Sequence, residues 1–365
     1  MDSSGNQKFA TALTTNVASL DPGYFALVMA TGIVSVSMEG HGLTVLSRLL
    51  LAVAALSWCL LIVLNGWRLL RYREAVLADL FNGRRAFSFF TFVAATNVLG
   101  TRLGIVDQND LVLALLVLGV LSCLGLGYSV PWLVAFRSGG PRGVANVNGT
   151  WFNLVVAVQS VSVLAATLEP TARVGQREFA AVAVFSWSVG ACLYAAIAVG
   201  VMARLMLYPT PPSDLTPPYW VAMGATAISV LAGARIVEMA DAPMVEATRG
   251  LVAGSSVVLW SLGSALIPLL IAAGWWRHVI HRVPVRYDPA LWSIVFPLGM
   301  YSVAGHYLGR ADALPLVHAV GTGVSWIALT AWVVVFTAML WHLVDTLGRQ
   351  PRLRGSPQQR RLSSN

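Results

Sequence analysis

Small and polar residues recur deep inside apolar stretches of this 365-residue chain: Thr31-Gly32, Thr96-Asn97, Gln159-Ser160, Thr226 and Pro297-Leu298-Gly299. Hydroxyls, amides and backbone groups freed beside a proline contact an ion weakly and reversibly, and they make or break no bonds. Phe296 stands just before Pro297, which places a large apolar ring at a predicted helix kink, where it can exclude water and strip an ion of its hydration. Reactive groups are sparse by comparison. His278-x-x-His281, with Arg277, Arg282 and Asp288 nearby, offers two metal ligands and no third at a suitable spacing. His41, His318 and His342 lie near helix ends, and no nucleophile with base, glycine-rich phosphate loop or carboxylate pair stands out. Cys59, Cys123 and Cys192 sit in apolar runs at spacings that fit neither a metal site nor a disulfide framework. The chemistry on offer is coordination along a path, with a membrane enzyme as the weaker reading. No cofactor and no metal are expected.

The elements that hold these residues repeat. An aromatic pair opens five apolar segments, at Tyr24-Phe25, Phe89-Phe90, Trp151-Phe152, Tyr219-Trp220 and, weakened, Leu291-Trp292; their first residues lie 65, 62, 68 and 72 positions apart. Such a period has room for two membrane-spanning helices and their loops. With 57% hydrophobic residues, 11% charged residues and a mean hydropathy of +0.71, the chain has too little charge to cover a water-soluble domain of its length. Apolar runs predict ten spans, near 23–40, 45–67, 86–104, 111–134, 150–168, 179–205, 218–237, 250–275, 290–308 and 316–344. They form one all-α transmembrane domain over 23–347, between a polar segment 1–22 and a basic tail 348–365. No removable signal peptide is read at the start.

Arginine and lysine set the orientation. Even-to-odd loops and termini on one side hold 17 of the 24 basic residues, so both termini are expected in the cytoplasm and the protein in the cell membrane. The net charge of +8 then reflects topology, and no nucleic-acid partner is expected.

Even-numbered spans are unbroken Leu/Val/Ala sequence suited to acyl chains, whereas odd ones carry the polar residues. Aligned on their aromatic pairs, the odd spans place Thr31, Thr96, Val158, Thr226 and Leu298 at one depth, followed by Gly32, Asn97, Gln159, Ala227 and Gly299. Polar groups at that depth face protein or a watery cavity. The layer reads as a pore lining, with close helix packing as the alternative. Toward the far ends of the same spans stand Glu39, Arg102, Arg235 with Glu238, and His306 with Arg310. Arg102, Arg235, His306 and Arg310 are candidates for an anion vestibule; side chains at this depth also serve as interface anchors. His306 and Glu238 are the titratable groups that a proton-coupled carrier would use.

Two stretches resemble a known family. Tyr24 to Val34 (YFALVMATGIV) is similar to the Met-Gly-Thr-Gly-Ile signature of the tellurite-resistance/C4-dicarboxylate transporter family, and Leu291 to Met300 (LWSIVFPLGM) is similar to its Trp-Ser-x-x-Phe-Pro element. Ala30 stands where glycine is usual, which narrows that layer slightly. The resemblance covers essentially all ten spans. It implies five helical hairpins in quasi-fivefold arrangement, odd helices around a central pore, protomers grouped as homotrimers, and small inorganic or organic anions as substrates. Bacterial tellurite-resistance permeases, fungal malate and sulfite transporters and plant slow-type anion channels belong to it. In channel-like members a phenylalanine of the ninth helix closes the pore, and Phe296 matches that position.

Overall fold

The computed structural model describes residues 17–106, 109–137, 142–172, 175–240 and 242–348; among them the only regular secondary structure is helical. Most of the predicted segments 1–22 and 348–365 lies outside the described residues. Ten long helices fall on the ten predicted stretches: α1 (Ala26–Gly40), α2 (Thr44–Arg71), α3 (Phe90–Gly104), α4 (Asn109–Arg137), α5 (Phe152–Leu168), α6 (Gln176–Leu207), α7 (Val221–Val237), α8 (Pro243–Trp275), α9 (Trp292–Ala311) and α10 (Pro315–Gly348). The largest departure is α8. Glu246 and Arg249 in its first two turns end the apolar run, yet Pro243 opens a helix there because the first turn needs no backbone N–H. A short helix, Arg73–Leu80, occupies what the sequence reads as loop.

Eight of these elements are long and apolar enough to cross a bilayer. The stretches containing α3 and α9 are not among the eight; Asn97 and Arg102 in one, and Pro297, His306 and Arg310 in the other, lower their apolar content.

Each odd helix is entered through one 3-10 turn: Pro22–Phe25, Ala86–Phe89, Gly149–Trp151, Pro217–Trp220 and Pro289–Leu291. The aromatic pairs sit at these junctions. Three turns are held by a side chain that accepts from the backbone two residues on, Asp21 from Gly23 N, Asn148 from Thr150 N and Asp288 from Ala290 N. The five turns touch one another in cyclic order, so the N-terminal ends of all five odd helices meet at one mouth. Below it, α1 packs on α3, α3 on α5, α5 on α7, α7 on α9, and α9 back on α1. Each even helix covers the odd helix before it and also touches the odd helix that follows, α10 returning to α1.

Burial follows this division. Every residue from Ala26 to Met38 of α1 is buried, whereas Val45, Leu56, Val63 and Leu70 of α2 are exposed. Apolar surface gains nothing by leaving lipid for protein, so helices in a bilayer associate through close backbone approach and hydrogen bonds. Glycines supply the approach here. A Cβ on Gly321 of α10 would lie 2.8 Å from His306 N and from Ser302 O of α9. Gly321→Ala should therefore force α9 and α10 apart and destabilise the fold by about 1–3 kcal/mol. A thermal unfolding midpoint in detergent equal to that of the wild type would refute this.

Candidate functional site: the inner ring

At the mouth, aromatic rings line the junctions. Phe87 stacks on Trp151 at 4.3 Å and Phe25 meets Phe92 edge-on at 5.2 Å. Trp292 Nε1 donates to the Tyr287 hydroxyl, and burial raises the pKa of that phenol, which keeps it neutral. Four arginines around the mouth are committed to structure. Arg68 and Arg85 both grip Asp79, at 2.6 and 2.8 Å, and Arg85 also reaches Asp21. Arg204 donates to the carbonyls of Ala145 and Pro209 and pairs with Asp214, and Arg277 donates to the carbonyls of Ser213 and Leu215. His278 Nδ1 lies 2.7 Å from Val283 O, and His281 packs on Trp276. The two histidines thus serve the turn after α8, and no cluster of three potential metal ligands occurs among the described residues.

The polar layer is fully buried. Thr31 Oγ1 accepts from Trp332 Nε1 of α10 at 2.9 Å, and Thr96 Oγ1 accepts from Trp58 Nε1 of α2 at 3.0 Å. Gln159 Nε2 donates to Trp187 O of α6 at 3.1 Å and lies over Gly190. Thr226 Oγ1 faces Gly263 of α8 and donates to Met223 O. Asn97 lies against Gly119 of α4 while its Nδ2 donates to Ser160 Oγ of α5 at 2.8 Å. These five polar groups therefore meet the outer helices, and Asn97 Oδ1 and Gln159 Oε1 have no hydrogen-bond partner among the described residues. Gly32 and Gly299 sit where inner helices touch, Gly32 against Val98 and Gly299 against Ile33. Phe296 is 1% exposed, and Pro297 beside it packs onto Gly224 of α7, where a Cβ would come within 2.9 Å of the proline ring.

The sequence reading overlooked the outer half of this arrangement. Trp58, Trp187, Trp260 and Trp332 each join an even helix to the next odd one. Trp187 Nε1 donates to Ser229 O of α7, and Trp260 stacks on Tyr301 of α9, whose hydroxyl lies 2.6 Å from Ser264 Oγ. The signal was present in the spacing. Trp58, Cys123, Trp187, Trp260 and Trp332 stand 65, 64, 73 and 72 positions apart, the same period as the aromatic pairs. Trp332→Phe keeps the ring and removes only the N–H, so it should cost about 1 kcal/mol. In Thr31→Val the same change should cost nearly nothing further; additive losses in that double-mutant cycle would refute the bond.

At the far end, Arg102 is fully buried and turned toward α1 and α2. Its Nε donates to Ser35 Oγ and Ser47 Oγ, and its Nη2 donates to Glu39 Oε2 and Ser47 Oγ, both at 2.9 Å. Ser35 and Ser47 exchange bonds with each other's carbonyls. The sequence reading placed Arg102 in a vestibule; in the structure its guanidinium bonds across three helices, with the carboxylate and hydroxyls around it that a buried cation needs. Arg235 lies 4.4 Å from the Tyr307 ring centroid and donates to that phenol oxygen. His306 sits 4.6 Å from His318, and Arg310 is exposed. Ser37, Ser302 and Ser325 form a hydrogen-bonded chain through α1, α9 and α10. Arg235 and the His306–His318 pair thus gather at the α7–α9–α10 edge, while Arg102 belongs to the α1–α2–α3 cluster.

A closed ring of buried helices inside a coat of exposed Leu, Val and aromatic side chains defines a multi-pass helical membrane protein. Residues 19–340 match the family described as SLAC1, voltage-dependent anion channel, and the chain belongs to that family. This agrees with the resemblance read from Tyr24 to Val34 and Leu291 to Met300, and makes the protein a channel-like anion transporter. An uncharacterized membrane protein of Mycobacterium tuberculosis strain H37Rv is 61% identical over 160 residues, 44% of this chain and 81% of the relative. Two uncharacterized transporters of Methanocaldococcus jannaschii are 23% and 22% identical over 326 and 327 residues, 87% and 86% of this chain and 93% and 90% of theirs.

Proposed function

We propose that the chain is a passive anion permease whose path runs along the axis of the ring formed by α1, α3, α5, α7 and α9, with Phe296 as its gate. The observation that carries this is the common direction of the five inner helices. Each helix N-terminus bears roughly half a positive charge, so five of them converging on one mouth favour anions over cations without any fixed cationic site. Weak sites of this kind let an ion leave as readily as it enters. The layer of Thr31, Gly32, Thr96, Asn97, Gln159, Thr226 and Gly299 borders the path: its glycines let inner helices touch, and its polar groups anchor the ring to the outer helices. At the far end Arg235, His306 and Arg310 form the vestibule.

On this reading all ten long helices cross the cell membrane as five hairpins, both termini are cytoplasmic, and protomers group as trimers. Substrates are small anions of the chloride, nitrate, sulfite, tellurite and C4-dicarboxylate kind. The adjacent histidines His306 and His318 favour one rival, a proton-coupled dicarboxylate carrier.

Anion-replacement flux on purified protein in liposomes tests both. Flux should follow the anion gradient and persist when a protonophore collapses the pH gradient. Uptake of malate that stops with the proton gradient would replace the channel by the carrier.

A further inference from the structure

Five seams separate neighbouring even helices, each lying over one odd helix, and an indole closes four of them. Trp58 covers α3, Trp187 covers α7, Trp260 covers α9 and Trp332 covers α1. The fifth member of the series is Cys123 on α4, facing α5. A thiol is far smaller than an indole, and at this seam the surface opens into a groove of about 860 Å³ between α4 and α6. The seam over α3 keeps only a pocket of about 440 Å³, near the mouth. Cys123, Leu124 and Phe185 form the walls of the large groove, with Leu154 and Val158 of α5 as its floor. It runs from Phe87 and Trp151 at the mouth to Met244 at the opposite end.

An apolar cavity of this kind excludes water and accepts apolar matter. Leu121 and Tyr128 flanking it are 63% and 79% exposed, so the groove is continuous with the lipid-facing coat. At the mouth end stands Arg84. Its carbonyl accepts from Asn148 Nδ2 and Thr150 Oγ1, and the neighbouring Gly83 carbonyl accepts from Trp151 Nε1. Its side chain is 54% exposed and holds Asp214 only at 3.5 Å, whereas Arg204 holds the same carboxylate at 3.2 Å. Arg84 is thus tied by its backbone to the turn that carries Trp151, and its guanidinium is only loosely held.

We propose that the groove is a specific site for one phospholipid, an acyl chain lying over α5 in place of the missing indole and an anionic headgroup against Arg84. A single chain fits where a tryptophan is absent because both are slim apolar bodies lying along a helix. The headgroup preference follows from Coulomb attraction at the bilayer surface. The site is independent of the gate at Phe296.

Native mass spectrometry of the full chain, taken from bilayers of mixed phosphatidylglycerol and phosphatidylcholine, tests the proposal. Wild type should retain one phospholipid per chain, enriched in phosphatidylglycerol. Cys123→Trp should lower retention about tenfold, which is about 1.4 kcal/mol of binding. Arg84→Gln should keep the lipid and lose the headgroup preference. If Cys123→Trp fails to fold, alkylation of Cys123 by a lipophilic maleimide in a Cys59→Ser/Cys192→Ser background reads the same site, and added phosphatidylglycerol should slow it. Unchanged retention in Cys123→Trp, or alkylation indifferent to added lipid, overturns the proposal. Crosslinks from Cys123 to another copy of the chain would also overturn it, by giving the groove to a protein neighbour.

Discussion

Phe296→Ala should raise anion flux through reconstituted protein on the order of tenfold, the effect of lowering a barrier by about 1.4 kcal/mol. A phenyl ring in a narrow path blocks by dewetting, since it offers an ion no lone pair or donor in exchange for its hydration. Its placement depends on the backbone beside it. Pro297 inside α9 removes one helical hydrogen bond, and Gly224 on α7 leaves the space that the proline ring occupies. Phe296→Trp should accordingly lower flux. Gly224→Ala should also change flux, because a Cβ there pushes on Pro297. Wild-type flux in Phe296→Ala, with the protein folded, would return Phe296 to ordinary core packing.

Arg102→Met should be the most damaging single change to stability, at about 3 kcal/mol. The figure is the low end of the range for breaking a buried pair, because the Glu39 side chain keeps 26% of its surface exposed. The substitution leaves the Glu39 carboxylate without its cation and removes the donors that tie Ser35 to Ser47 across α1 and α2. Adding Glu39→Gln should restore most of the loss, since a neutral amide needs no buried partner charge. Denaturation midpoints for the two single variants and the double variant measure this coupling. Flux per folded molecule should stay near wild type in the double variant. Lost anion selectivity at unchanged stability would put Arg102 back in the path.

Much of this architecture is written in one dimension. The recurrence of Tyr24-Phe25, Phe89-Phe90, Trp151-Phe152, Tyr219-Trp220 and Leu291-Trp292 marks the five 3-10 entrances, because proline, glycine and aromatic residues suit a turn at a membrane surface. The division into polar odd and apolar even stretches anticipates which helices are buried, since unpaired polar groups do not face lipid. Burial was legible too: Thr31, Thr96 and Gln159 are all fully buried.

Direction was not legible. Aligning repeats gives a residue's height along its helix, but its rotation is read from an apolar face, and α1 or α5 buried on nearly all sides has none. The polar groups of Thr31, Thr96 and Gln159 therefore turned out to meet outer helices, through bonds such as Trp332 to Thr31, whose members are 301 residues apart. Arg102 likewise found Glu39 and Ser47, 63 and 55 residues away, because a buried guanidinium goes where acceptors converge. Sequence by itself determined the membrane class, the fivefold period and the family. Ring closure, the rotation of each inner helix and the unfilled seam at Cys123 were decided only by tertiary structure, since each depends on which distant helix lies alongside.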